Sequence, residues 1–183
     1  MRVPRTFVFV DLGGFTKFTS EQGDDAAGHV LSSFRTIVRD VASERGVRIA
    51  KWLGDGCMMV AVDHRDAVAA SLDLEMKARE VCAPLTLRVG IATGYALLFE
   101  GDDYIGSAVN LAARLCDAAE GWEVLLPASQ ATDLPAGIVA VPSRMVTLRG
   151  FPEPIEVVEL SGEAPPVSRD DTGEVWTRSP FVA

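Results

Sequence analysis

Residues 6–10 (Thr-Phe-Val-Phe-Val) are all β-branched or aromatic, which predicts a buried strand ending at Asp11. The Gly13-Gly14 pair predicts a turn after it. From Asp24-Asp25, apolar residues recur at Val30, Leu31, Phe34, Ile37, Val38 and Val41. That spacing predicts a helix, with the acidic pair at its start and Gly46 as its stop. Two short apolar runs, 47–53 and 57–62, flank Gly54-Asp55-Gly56 and predict a tight hairpin. A helix rich in Ala and Leu is expected over 64–82, ended by Pro84. A strand over 85–92 follows, closed by Thr93-Gly94, and 95–105 reads as less regular. Ser107 is the expected N-cap of a helix over 108–119, which Gly121 ends. Residues 122–126, 137–148 and 155–160 predict further strands, with Pro127, Pro135, Pro152 and Pro154 at turns. The hairpin excludes an all-parallel sheet. The expected class is α+β, a mostly antiparallel sheet flanked by helices.

The chain has 183 residues, a length that favours a single domain. Composition shifts to Pro, Asp, Glu and Ser after Ser161, so the expected division is a globular unit over 1–161 and a solvated tail over 162–183. Trp176 and Phe181 are the tail residues able to dock. Lys and Arg number 17 against 26 Asp and Glu, a net charge of −9. Such a surface lacks the basic footprint that binds nucleic acid or anionic lipid. The three cysteines, Cys57, Cys82 and Cys116, are odd in number and widely spaced, which excludes a full disulfide framework and a zinc motif. The amino terminus reaches Asp11 too soon for a signal peptide, and no apolar run approaches the ~18 residues of a membrane span. A soluble cytoplasmic protein is expected.

Asp11 stands at a strand end and Asp55 at a hairpin tip. If the two strands are neighbours, their carboxylates converge as a site of hard oxygen ligands suited to Mg²⁺ or Mn²⁺. Taken singly, each has a plainer reading, Asp55 as a turn residue and Asp11 as a strand terminator. Asn110 and Arg114 lie four apart and share a helix face. Arg suits phosphate and Asn suits a sugar oxygen, although such a face is commonly just solvated. Lys51 interrupts an apolar strand, as a protective edge lysine also would. Asp103 precedes the Tyr104-Ile105-Gly106 turn. His29 and His64 fall on or beside helices and are assigned surface roles.

Together these pieces resemble the class III nucleotidyl cyclases over about residues 5–160. Asp11-Leu12-Gly13-Gly14-Phe15-Thr16 is similar to the first metal motif of that family, and Lys51-Trp52-Leu53-Gly54-Asp55 to its Lys-x-x-Gly-Asp motif. Arg88–Gly94 resembles the central strand. Asp103-Tyr104-Ile105-Gly106 followed by Val109-Asn110-Leu111-Ala112-Ala113-Arg114 resembles the Asp-x-x-Gly and Val-Asn-x-Ala-x-Arg segment. The resemblance implies a ferredoxin-like fold and an adenylate cyclase that forms 3′,5′-cyclic AMP and pyrophosphate from ATP. It implies two Mg²⁺ or Mn²⁺ per active site on Asp11 and Asp55, purine reading by Lys51 and Asp103, ribose orientation by Asn110 and phosphate stabilisation by Arg114. It further implies a head-to-tail homodimer with shared sites, the aspartates coming from one chain and the other groups from its partner. Only eight residues separate Gly94 from Asp103, as in the bacterial subgroup with a shortened dimerisation arm. Arg149, in Leu148-Arg149-Gly150, stands where many members have Lys and is expected to meet phosphate.

A Lys donor beside an Asp acceptor matches the amino group and ring nitrogen of adenine and mismatches guanine. A guanylyl cyclase, or a homologue that binds nucleotide with weak turnover, is the alternative. The Gly-Gly-Asp/Glu-Glu-Phe hairpin of a diguanylate cyclase is missing from the sequence.

Overall fold

A computed structural model describes residues 2–99, 103–164 and 166. Its eight strands form one sheet: β1 (Arg2–Gly13), β2 (Arg48–Leu53), β3 (Gly56–Ala61), β4 (Thr86–Phe99), β5 (Asp103–Ile105), β6 (Val124–Pro127), β7 (Ile138–Val146) and β8 (Ile155–Gly162). The order is β2-β3-β1-β4-β6-β8-β7, with β5 pairing β4 off that path. Every pairing is antiparallel except β4 with β6. The expected α+β class with a mostly antiparallel sheet is therefore what forms.

Alternation along each strand sends side chains to two faces. Val8, Val10 and Leu12 of β1 and Leu87, Val89 and Ile91 of β4 meet Phe34, Val38 and Val41 from α2 (Asp24–Arg45) and Val68, Leu72 and Leu74 from α3 (His64–Val81). The opposite face is covered by α4 (Ser107–Ala118), whose Ala108 and Ala112 pack with Phe7, Met58, Val60 and Ala92. α4 sits flush on β4 because Gly90 has no side chain; a Cβ there would lie 2.3 Å from the Ala112 carbonyl oxygen.

Several boundaries differ from expectation for identifiable reasons. β1 runs past Asp11 to Gly13 because β4 pairs with it along its whole length, from Thr86 opposite Gly13 to Leu97 opposite Arg2. For the same reason β4 does not close at Thr93-Gly94. Gly94 serves a close approach, since a Cβ there would meet Ala108 Cβ at 2.9 Å. Residues 95–105, expected to be irregular, continue β4 and fold back as β5, with Leu97, Leu98 and Phe99 opposite Ile105, Tyr104 and Asp103. Ser107 is the first residue of α4 and not its cap; Gly106 holds that position without a side-chain bond. Helix α1 (Phe15–Gln22) has no helical apolar pattern to announce it, because only Phe15 and Phe18 of its eight residues pack on the core. The hairpin at 54–56, the 22-residue α2 with Gly46 in left-handed conformation at its end, and α3 all form where expected. Trp176, Phe181 and most of the expected tail lie outside the described residues.

Candidate active site

The antiparallel pairing of β1 with β3 sets Asp11 opposite Gly56, and the Leu12 amide donates to the Asp55 carbonyl at 3.3 Å. The two carboxylates thus share one end of the sheet, although 44 positions separate them in the sequence. Burial pushes the Asp55 carboxyl above its ordinary value, and the charge of Asp11 pushes it further. A folded protein that keeps two acids in mutual repulsion has a local excess of negative charge. That excess suits a cation, and the donors are all oxygen. Among the described residues no group of three or more His, Cys, Asp or Glu gathers to hold a metal. Two carboxylates are nonetheless enough for Mg²⁺, which typically takes its other ligands from water and substrate phosphates.

Arg88 completes this corner. It lies opposite Asp11 in the β1–β4 register and its Nη2 donates to Asp11 Oδ2. Burial opposes its charge, but the hydrogen bond and charge of Asp11 outweigh that and hold the guanidinium protonated. In the sequence Arg88 stands out only as part of the central strand Arg88–Gly94. The available signal was a charge within the otherwise apolar alternation of Leu85–Ala92.

Lys51 and Asp103 form the second pair. Lys51 Nζ donates to Asp103 Oδ1 at 2.6 Å, and the Tyr104 amide donates to the same oxygen at 3.0 Å. The Lys51 bond holds the Asp103 carboxyl below its ordinary range. A donor and an acceptor therefore stand side by side in fixed relation. The third pair, Asn110 and Arg114, occupies one face of α4, and Arg114 Nη1 donates to Asp117 Oδ2 at 2.8 Å. Among the described residues no hydrogen bond or ion pair joins these three pairs to one another. Arg149 is exposed in the connection between β7 and β8.

The sequence profile of the adenylate and guanylate cyclase catalytic domain matches residues 4–158, from within β1 to within β8. The chain belongs to that family. The cyclase domain is 34% identical over 171 residues to an adenylate cyclase of Streptomyces coelicolor, covering 93% of this chain and 43% of the relative. It is 36% identical over 152 residues to an uncharacterised protein of Mycobacterium tuberculosis, covering 83% of this chain and 40% of that one. The chain thus spans about two fifths of the length of these curated relatives. Among solved structures, the adenylyl cyclase CyaB of P. aeruginosa superposes with a TM-score of 0.79 at 26% identity, covering 91% of this chain and 97% of that one. A guanylyl cyclase, Cya2, superposes with a TM-score of 0.78 at 24% identity, covering 92% and 96%, which shows the shared fold alone.

Around this site the cyclase domain leaves apolar surface uncovered. Tyr95, Leu97 and Phe99 alternate on one face of β4, and Ile105 lies opposite Leu97 on β5. Tyr95 is 68% exposed and Ile105 55%. His64, expected at the surface, is instead half-buried. Its Nδ1 lies 3.0 Å from Thr93 Oγ1, which also lies 2.8 Å from Thr6 Oγ1. Burial lowers the pKa of His64 despite the opposing charges of Asp63 and Asp133. His29 is exposed as expected. No helix among the described residues is long and apolar enough to cross a membrane.

Proposed function

We propose that this cyclase domain is an adenylate cyclase, forming 3′,5′-cyclic AMP and pyrophosphate from ATP in sites shared by two copies of the chain. The Lys51–Asp103 pair carries the choice of base. Its ammonium presents donors toward a ring nitrogen, and its carboxylate accepts from an exocyclic amine. Guanine reverses both polarities and would mismatch both groups. The adenylate cyclase relatives from Streptomyces support the same choice.

Asp11 and Asp55 would hold two Mg²⁺ or Mn²⁺ ions. When bound, these supply a more acidic ribose 3′-hydroxyl and neutralisation of the triphosphate. The chain's own groups do the rest. Asn110 orients the ribose so that its 3′-oxygen lies in line with the α-phosphorus and the leaving pyrophosphate. Arg114, released from Asp117, places its guanidinium on the α-phosphoryl oxygens as their charge grows. Arg149 meets phosphate from the β7–β8 connection. No histidine base is assigned, in keeping with His64 lying in the Thr6–Thr93 hydrogen-bond cluster and His29 at the surface.

Sharing of sites between two copies is supported by two features. The three pairs are each assembled within the chain but not joined to one another. The apolar face of Tyr95, Leu97, Phe99 and Ile105 offers contiguous surface for a second copy. The deciding measurement is incubation of the purified chain with Mn²⁺ and either ATP or GTP, followed by identification of the product. Cyclic AMP from ATP, with little cyclic GMP, is expected. Preferential cyclic GMP would make the domain a guanylyl cyclase, and no cyclic product from either would remove the enzyme reading.

A further inference from the structure

α4 carries Asn110 and Arg114, and its last turn is held by a residue outside every motif. The register of β7 against β8 shifts between Pro142 and Arg144. Such a bulge re-aims the side chain beside it. Arg144 Nη1 and Nη2 donate to the two carboxylate oxygens of Glu123 at 2.7 and 2.8 Å, and Nη2 also donates to the Ala118 carbonyl at 3.0 Å. Glu123 in turn accepts from the Glu120 amide at 2.7 Å. The ion pair is partly shielded, with the Glu123 side chain 14% exposed and that of Arg144 33%. The hydrogen bond from Arg144 holds the Glu123 carboxyl below its ordinary value.

The last carbonyls of a helix have no partners within it, and a cation at that end opposes the negative pole of the helix. Arg144 supplies both needs at Ala118. That residue is four beyond Arg114, so it stacks directly over it, one turn further along. Asp117, which holds the Arg114 guanidinium at 2.8 Å, lies in the same turn. The Gly90 contact and the buried Leu115 and Cys116 seat one side of this turn on the sheet, and the Ala118 carbonyl is the end group that β7 partners.

We propose that Arg144 is a positioning residue for Arg114, with Glu123 as its anchor: the clamp on Ala118 keeps the last turn of α4 wound and so fixes where the Arg114 guanidinium is presented. The inference rests on the phosphate-stabilising role given to Arg114. A lysine at 144 would keep the charge but lose the two-pronged grip on Glu123 combined with a donor for Ala118.

The test compares Arg144→Gln and Arg144→Lys in the full chain. Amide hydrogen exchange requires no substrate; steady-state kinetics use Mn²⁺ and ATP. In Arg144→Gln the amides of residues 114–118 are expected to exchange at least about tenfold faster, with those of β1 and β4 unchanged. Its kcat falls about tenfold while KM stays within about twofold, since placement of one transition-state group is lost. Arg144→Lys recovers part of both effects. In an Arg114→Ala background, read from product accumulated over long incubation, Arg144→Gln causes no further loss. Unchanged exchange at 114–118, or an equal loss in both backgrounds, overturns the proposal. If Arg114→Ala itself keeps the wild-type kcat, the role of Arg114 fails and the proposal with it, an outcome the exchange data keep apart from failure of the clamp. Should Arg144→Gln not fold, Glu123→Gln, which removes the anchoring charge at constant shape, answers the same question.

Discussion

Lys51 and Asp103, 52 residues apart in the chain, are joined at 2.6 Å with their side chains 43% and 49% exposed. An ion pair in that setting adds little to folding stability, because solvent screens it and two long side chains lose freedom to make it. Its consequence is alignment. The donor and the acceptor are held together at the surface at one spacing.

Replacing Lys51 by Glu and Asp103 by a small neutral residue should therefore separate stability from selectivity. Tm is expected to stay within about 2 °C of wild type, as for loss of an exposed pair. The ratio of kcat/KM for ATP over GTP should fall by at least about tenfold, chiefly through loss of ATP use. An unchanged ratio would show that other groups read the base.

Asp11→Ala and Asp55→Ala should each reduce turnover by more than about a hundredfold, because several kcal/mol of charge stabilisation depends on the metal ligand. Asp55→Asn should lose activity and yet raise Tm of the metal-free protein, since it removes a half-buried carboxylate that Asp11 repels. A fall in Tm of Asp55→Asn, or near wild-type turnover in either alanine variant, would contradict the paired-carboxylate site.

Mixing Asp11→Ala with Arg114→Ala, each of strongly reduced activity, tests sharing of sites between chains. Random exchange makes half the dimers mixed, each with one intact site, so activity should return to about a quarter of wild type. Proven exchange of chains without recovery of activity would rule sharing out.

The setting of His64 gives a pH dependence of stability with a definite sign. Its pKa is lowered in the fold, so the unfolded chain binds the proton more readily than the native one. The stabilisation is present above about pH 6.5, the ordinary imidazole value, and is lost as pH falls through the lower folded value. Asp63 and Asp133 oppose the shift, and Arg65 Nη1 donates to Asp133 Oδ1 at 3.2 Å. Urea midpoints should drop between neutral and mildly acid pH, and His64→Gln should lessen that drop. An identical slope in the variant would assign the effect to other groups.

Burial pushes the thiols of Cys57 and Cys82 up to about 12 and about 11, and raises that of Cys116 as well. The reactive species is the thiolate, so native protein should resist a thiol reagent at neutral pH. All three should react after unfolding. Rapid labelling of native Cys57 would show that the β3 side of the core opens.

Elements with strong local signals are legible in the sequence. Gly54-Asp55-Gly56 turns a hairpin on steric grounds alone. The apolar spacing from Val30 to Val41, ended by left-handed Gly46, specifies α2 without reference to anything outside it. Ordered motifs also carry the proposed chemistry, because Asp11, Lys51, Asp55, Asp103, Asn110 and Arg114 keep their spacing along the chain. What depended on partners was not legible. The full lengths of β1 and β4 come from their mutual pairing, and Gly94 reads as a turn residue until α4 is seen to lie against it. Arg88 beside Asp11 and Arg144 beside Ala118 are likewise products of register, in the second case of a bulge. Local conformation is encoded over a few residues and can be read there. Contacts between residues far apart in sequence are chosen by the cooperative packing of the whole sheet, and only the assembled fold reveals which charges those contacts bring together.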